Sequence, residues 1–284
     1  MVLKIFLLYH DDKQLQAERE HARPATLLTP PRRLPTLDVI GLGGFGVDWL
    51  LILIPAFFAA LVQGITGFGS VIIMMIFFPA ILPIAEAAGL GGVIMLSCTA
   101  SLAWRYRKDF HFKQVIGPFL FYATVATWSV HLGKLLDTHV LRLMLGVLLV
   151  ALALYFILAK NAGDRRYPWY IAVGFMVISG FFNGLFGIGG PLMALYFLSL
   201  STSVPTYMGN LQGFFLMDTV YITSVRVASG IITASAIPYI IGGIIAATLG
   251  TLVASRLSAK WSLAQIKPLI YGFIGLSGLY YLFF

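Results

Sequence analysis

Residues 63–70 read Gln-Gly-Ile-Thr-Gly-Phe-Gly-Ser, and residues 183–190 read Asn-Gly-Leu-Phe-Gly-Ile-Gly-Gly. The second stretch lies 120 positions after the first, so Gly64, Gly67 and Gly69 meet Gly184, Gly187 and Gly189. Each glycine run breaks an apolar region and is followed by a short apolar segment, Phe68–Leu82 in one half and Ile188–Leu200 in the other. Glycine lets a helix stop and restart. Interrupted segments at corresponding places in two halves point to the binding site of a secondary transporter. A glycine run can also be a phosphate loop, but no Gly-Lys-Ser/Thr follows and no βαβ pattern surrounds it, so neither nucleotide reading holds.

The match extends beyond the glycines. At an offset of 121, Leu90, Gly92 and Arg105 meet Leu211, Gly213 and Arg226, and at 125 Leu154 and Tyr155 meet Leu279 and Tyr280. A period above 100 residues is not that of a solenoid; it is a duplicated unit. Composition says in which medium. Of 284 residues, 59% are hydrophobic and 11% charged, and the mean hydropathy is +0.91. Soluble domains run near 45–50% apolar and 25% charged, and a disordered chain would be polar. The apolar runs are continuous, as in Leu141–Ala159, which argues against the alternation of an outer-membrane barrel. The fold class is therefore all-α and polytopic in a membrane. About 8–10 transmembrane segments are expected, in two inverted repeats with Gly-rich broken helices.

Ten apolar segments support this. The first half has Trp49–Ile65, Phe68–Leu82, Ala87–Trp104, Val115–Leu132 and Val140–Ala159; the second has Tyr170–Phe186, Ile188–Leu200, Val204–Val225, Ala234–Ser255 and Ile266–Phe284. The chain divides into a polar N-terminal tail (1–46), a first membrane repeat (47–159), a linker (160–167) and a second repeat (168–284). The tail carries Pro30, Pro31 and Pro35 and at most one short helix near Asp11–Ala22. Each half crosses five times, or three if its first two segments form a re-entrant hairpin. Both counts are odd, so the second half is predicted to be inverted. With ten crossings, Arg105, Arg107, Lys108, Lys113, Lys160, Arg165, Arg166, Arg256, Lys260 and Lys267 share one side, against Lys134, Arg142 and Arg226. That asymmetry places both termini outside. The net charge of +8 belongs to these loops and to lipid headgroups, not to nucleic acid.

The residues for chemistry gather at the breaks. A restarted helix presents free N–H groups and a positive dipole end, which suit an anion. The candidate substrate-binding set is Gln63, Gly64, Thr66, Gly67, Gly69 and Ser70 in the first half. In the second it is Asn183, Gly184, Gly187, Gly189 and Gly190, joined by Asn210 and Gln212. Amide and hydroxyl donors there can meet an anion without burying a cation. The competing account is helix packing through small residues and interhelical hydrogen bonds. Asp218 is the one acid well inside an apolar run, and its first-half counterpart is Ser97. It is the proton-coupling candidate, with a structural hydrogen bond as the alternative. Arg226 lies eight residues on, about 12 Å along a helix and too far for direct contact. Arg105 and Arg226 are vestibule candidates that would otherwise snorkel to the headgroups. The five histidines lack metal-ligand spacing, and Cys98, the single cysteine, reads as a small buried hydrophobe. No cofactor and no metal are expected.

Together the two glycine motifs, Gln63–Ser70 and Asn183–Pro191, and the duplicated layout resemble the TauE/SafE sulfite exporter family of bacterial membrane permeases. The resemblance covers about residues 47–284. The first motif ends in Ser70 where the family often has a second glycine. The resemblance implies a permease of the bacterial inner membrane for a small sulfur-containing anion, such as sulfite or an organosulfonate, without ATP. Alternating access at the repeat interface is the expected mechanism; a passive channel or a scaffold is the alternative. An intramembrane enzyme is disfavoured: one intramembrane acid does not make an aspartyl pair, and no H-E-x-x-H occurs. The partners implied are a small anionic substrate and the lipid bilayer.

Overall fold

The computed structural model describes residues 46–158, 166–257, 279 and 281–283. The tail up to residue 45 with its expected short helix, most of the 160–167 linker and most of Ile266–Phe284 lie outside the described residues. Within them all regular structure is helical. The first half contributes α1 (Val47–Thr66), α2 (Ser70–Phe77), α3 (Ile84–Arg105), α4 (Phe112–Gly133) and α5 (Thr138–Leu158). The second contributes α6 (Trp169–Phe186), α7 (Gly190–Leu200), α8 (Val204–Ala228) and α9 (Ile237–Leu257). In a bilayer only internally hydrogen-bonded segments of this kind leave no backbone group unmet.

Six of these helices, α1, α3, α4, α5, α6 and α9, have the length and apolarity of membrane spans. The predicted short segments are short: α2 has 8 residues and α7 has 11, about 12 and 17 Å of rise. Neither can cross some 30 Å of hydrocarbon. At 25 residues α8 is the longest, yet it is not among the apolar six. It holds Asn210, Gln212, Asp218 and Arg226, all buried, so their polar groups face protein rather than lipid. Ser203 caps its start by accepting from the Thr206 N–H at 3.3 Å, with Pro205 in the first turn where a missing N–H costs nothing.

The halves interlock reciprocally. α1 of the first half packs along α9 of the second, and α4 of the first packs along α6 of the second. Glycine makes both contacts possible. A Cβ on Gly250 would strike the Phe57 carbonyl, and one on Gly184 would strike the Ala126 carbonyl. The pairs run in register and parallel: Trp49 meets Gly242, Phe57 meets Gly250 and Gly64 meets Ala254, just as Gly180 meets Tyr122 and Gly184 meets Ala126. Between them α3 packs on α8. The start of α3 lies at the end of α8, where Arg226 Nη1 donates to the Ala88 carbonyl. The chain leaving α3 returns to the start of α8, where the Asn210 carbonyl Oδ1 accepts from the His111 N–H. These two helices are antiparallel. Two apolar clusters result: one from α1, α2, α3, α5, α9 and the end of α6, the other from α4, the rest of α6, α7 and α8.

Lipid offers helices no hydrophobic drive to associate, so close backbone approach carries much of the packing. Gly250→Ala and Gly184→Ala should each lower stability by about 1–3 kcal/mol through overpacking, read as a lower melting temperature in detergent. Gly174, with open space where a Cβ would sit, should tolerate alanine or gain up to about 1 kcal/mol from helix propensity. Equal losses at all three positions would remove the close-contact account.

Candidate functional site

α1 ends because Gly67 turns left-handed at φ 86°, its N–H donating to the Gln63 carbonyl at 2.7 Å. α6 ends the same way. Gly187 sits at φ 71° and donates to the Asn183 carbonyl at 2.8 Å. Glycine takes this conformation without a Cβ penalty. Two residues later the motifs diverge. Gly69 is left-handed again at φ 93°, whereas Gly189 has φ −115°, which other residues tolerate. At Gly189 the need is space: a Cβ would collide with the Tyr122 hydroxyl.

After each break a new helix starts, and both starts open on one cavity of about 60 Å³. Gly69, Ser70, Val71 and Ile72 line it from α2, and Gly189, Gly190 and Pro191 from α7. A space of this size holds a few waters or one small polyatomic ion. Unmet N–H groups and the positive ends of two helices face it. Both apolar clusters meet here, and α1, α3, α4, α6 and α8 supply the remaining walls.

The first-half wall is neutral. Gln63 Nε2 donates to Thr99 Oγ1 at 3.0 Å and to Gln212 Oε1 at 3.4 Å, while Ser70 Oγ donates to Gln63 Oε1. Gln212 Nε2 in turn donates to the Gly67 carbonyl at 2.6 Å, pinning the broken end of α1 to α8. The second-half wall is charged. Asn183 Nδ2 donates to both oxygens of Asp218 at 3.1 Å. Arg226 Nη2 donates to the carbonyls of Asn183 at 2.8 Å and Gly184 at 3.1 Å. Asn183 thus links the acid through its side chain and the cation through its backbone. Asp218, Ile222 and Arg226 fall four residues apart, on one stripe of α8.

Of the residues singled out from sequence, Gln63, Gly69, Ser70, Asn183, Gly187, Gly189, Gly190, Asp218 and Arg226 line this cavity. The others lie elsewhere. Thr66 turns its hydroxyl to the Val62 and Phe68 carbonyls of its own turn. Gly64 packs on Ala254, and Gly67 and Gly184 are backbone positions behind the wall. Gln212 stands one layer back, holding Gln63. Asn210 clamps the α3–α4 connection through the His111 N–H at 2.7 Å and Gln114 Oε1 at 3.0 Å. The two vestibule candidates part company, one buried and one exposed. Arg226 is 3% exposed and set in the wall, because the end of α6 offers it carbonyls. Arg105 is exposed, 5.7 Å over the ring of its neighbour Tyr106, and shares only a separate cleft with Gly64.

Sequence reasoning passed over Tyr122, Thr99, Thr219 and Thr223, all in the wall. The threonines were findable: 219 and 223 flank the Asp218 stripe at helical spacing. Tyr122 sits in an unremarkable apolar run, and no local signal marks it. Removing the amide in Asn183→Ala should strand the buried carboxylate and cost about 1–3 kcal/mol. Adding Asp218→Asn should recover part of that loss, a non-additive cycle measurable by unfolding in detergent. Strict additivity would show that the pair does not interact.

The family model for TauE, sulfite exporter TauE/SafE, matches residues 52–281. A curated relative, "Probable membrane transporter protein ORF9" from Sinorhizobium sp, is 30% identical over 156 residues. That match covers 52% of this chain and 60% of the relative. No solved structure matches the chain. The family match takes in both glycine breaks and every residue of the cavity wall, and on it the chain belongs to the sulfite exporter TauE/SafE family.

Proposed function

We propose that the protein is a secondary transporter of the bacterial plasma membrane. It moves a small sulfur-containing anion, such as sulfite or an organosulfonate, coupled to a proton. It is a permease rather than an enzyme. The observation that carries this reading is the convergence of two helix starts on one small cavity whose wall holds Arg226, Asp218 and Asn183. The helix ends and the guanidinium attract an anion.

Charge then determines coupling. Among the described residues lining the cavity, Arg226 is the cation, Asp218 the acid and Tyr122 the remaining titratable group. With Asp218 ionised the empty site is neutral, and a bound monovalent anion would leave it at −1. With Asp218 protonated the site is +1, and the bound anion makes it neutral. A net charge inside the membrane is expensive. The empty state and the doubly loaded state, anion plus proton, are therefore the ones that cross. The sign follows: lower pH favours the protonated acid and tighter anion binding.

Alternating access has a physical basis in the antiparallel pair α3 and α8. At one end Phe110 packs its ring on Gly213, with the backbone before it against Gly209; at the other Ile232 packs on Gly89. These two apolar contacts close opposite ends of the pair. In the proposed cycle each opens in turn as one repeat rocks against the other, as inverted repeats would allow.

The test is uptake by purified protein in liposomes. Labelled sulfite uptake should saturate, compete with organosulfonates, speed up with an inward proton gradient, and ignore an imposed membrane potential. Asp218→Asn, fixed in the neutral form, should transport without response to the gradient. Persistence of the full pH response in Asp218→Asn would end the coupling role. Absence of saturable uptake of sulfite and organosulfonates by folded protein would end the substrate reading, and flux proportional to concentration without saturation would identify a channel.

A further inference from the structure

Tyr122 of α4 is 0% exposed, and its ring is fixed edge-on to Phe214 at 5.0 Å. The residue lines the cavity, and its hydroxyl, set against Gly189, has no hydrogen-bond partner among the described residues. Buried hydroxyls in proteins are almost always paired, with protein, water or ligand. An unpaired phenol at the wall of a binding cavity is a donor waiting for an acceptor.

Two further features single out this position. Gly189 has no conformational need to be glycine, yet any side chain there would occupy the place of the Tyr122 hydroxyl. The sequence thus keeps the amino end of α7 open to the phenol. The Ser179 carbonyl closes on the same glycine, so the hydroxyl is confined to that spot. Secondly, the two helix starts are unequal. α2 begins Ser70, Val71, Ile72, each with an N–H, whereas α7 begins Gly190, Pro191, Leu192, and proline has no N–H to give. The first turn of α7 is one donor short, and the Tyr122 hydroxyl stands beside it.

We infer that Tyr122 is a specificity-determining residue whose phenol donates a hydrogen bond to an oxygen of an oxyanion held at the amino end of α7, replacing the donor that Pro191 lacks. This rests on the anion-site reading above. A phenol suits the task because it donates without adding a second positive charge to a site already holding Arg226. It is also a directional donor at one fixed point, which favours a polyatomic oxyanion whose separate oxygens meet the phenol and the start of α2 together over a single-atom anion such as chloride.

Tyr122→Phe removes the oxygen and leaves the ring on Phe214. Two measurements on purified protein test it: thermal stabilisation by a panel of anions (sulfite, sulfate, methanesulfonate, chloride), and KM and maximal rate for sulfite in liposomes. The expected result is a melting temperature without ligand equal to or above that of the unaltered chain, since an unpaired buried hydroxyl has gone. The KM for sulfite should rise about tenfold, with a smaller change in maximal rate, and the preference for oxyanions over chloride should shrink. If the unaltered chain responds to an oxyanion and Tyr122→Phe responds identically, the hydroxyl does not touch substrate. If Tyr122→Phe melts lower with unchanged KM, its hydroxyl is structural and the inference fails. If the unaltered chain neither responds to nor transports any of these anions, the anion site fails and this assignment falls with it.

Discussion

Arg226 is a guanidinium buried among membrane helices, and its donors must be met by protein because lipid offers none. They are met by backbone: Nη1 reaches the Ala88 carbonyl at 3.0 Å, and Nη2 reaches the carbonyls of Asn183 and Gly184. Those last two belong to the final turn of α6: the Asn183 carbonyl shares itself between the Gly187 N–H and Arg226, and helix termination frees the Gly184 carbonyl for the cation. The break at Gly187 therefore creates the acceptors that hold the cation, and the cation stabilises the negative end of the broken helix. One set of contacts joins α3, α6 and α8, and through the Asn183 side chain it fixes the acid as well. Altering any member leaves a polar group stranded in a dry place.

The first half meets the same constraint without charge. Its break at Gly67 exposes a carbonyl too, and the Gln212 amide takes it. Gln63 stands where Asn183 stands in the second half, but its longer side chain reaches Thr99 and accepts from Ser70. Ser97, the counterpart of Asp218, turns its hydroxyl back to the Ile94 carbonyl of its own helix at 3.0 Å. Arg105 stays outside. Shared backbone geometry thus carries two chemistries, a neutral amide wall and a charged one, on either side of a single cavity.

Much of this was legible in the sequence, for reasons that can be named. A left-handed helix end needs glycine, so Gly67 and Gly187 marked both breaks. The matched spacing then implied that the breaks work together, and both lie at one cavity. Bilayer thickness made the segments after them too short to cross, and α2 and α7 are short. Tertiary partners were not legible. Arg226 read as an interfacial cation because it follows the last residue of the apolar run Val204–Val225, and periodicity cannot show that the end of α6 lies beside it. Thr66 and Gln212 carried the right chemistry, but one serves its own turn and the other supports Gln63. Gly189 was identified as a break residue although its backbone is ordinary. Its reason, the Tyr122 hydroxyl, comes from another helix 67 residues earlier in the chain.

A carrier must also let its ligand go. A lone guanidinium in a low-dielectric cavity would hold a small anion tightly, since Coulomb attraction there is several times that in water. The carboxylate of Asp218, fixed by Asn183 two turns from Arg226, offsets that attraction whenever it is ionised. The neutral wall of Gln63, Ser70 and Thr99 adds orientation without adding charge. On the proposed reading, affinity is therefore set by the protonation of one acid rather than by the number of donors. The same pocket can then capture an anion on the proton-rich face and release it on the other, with no change in the identity of its contacts.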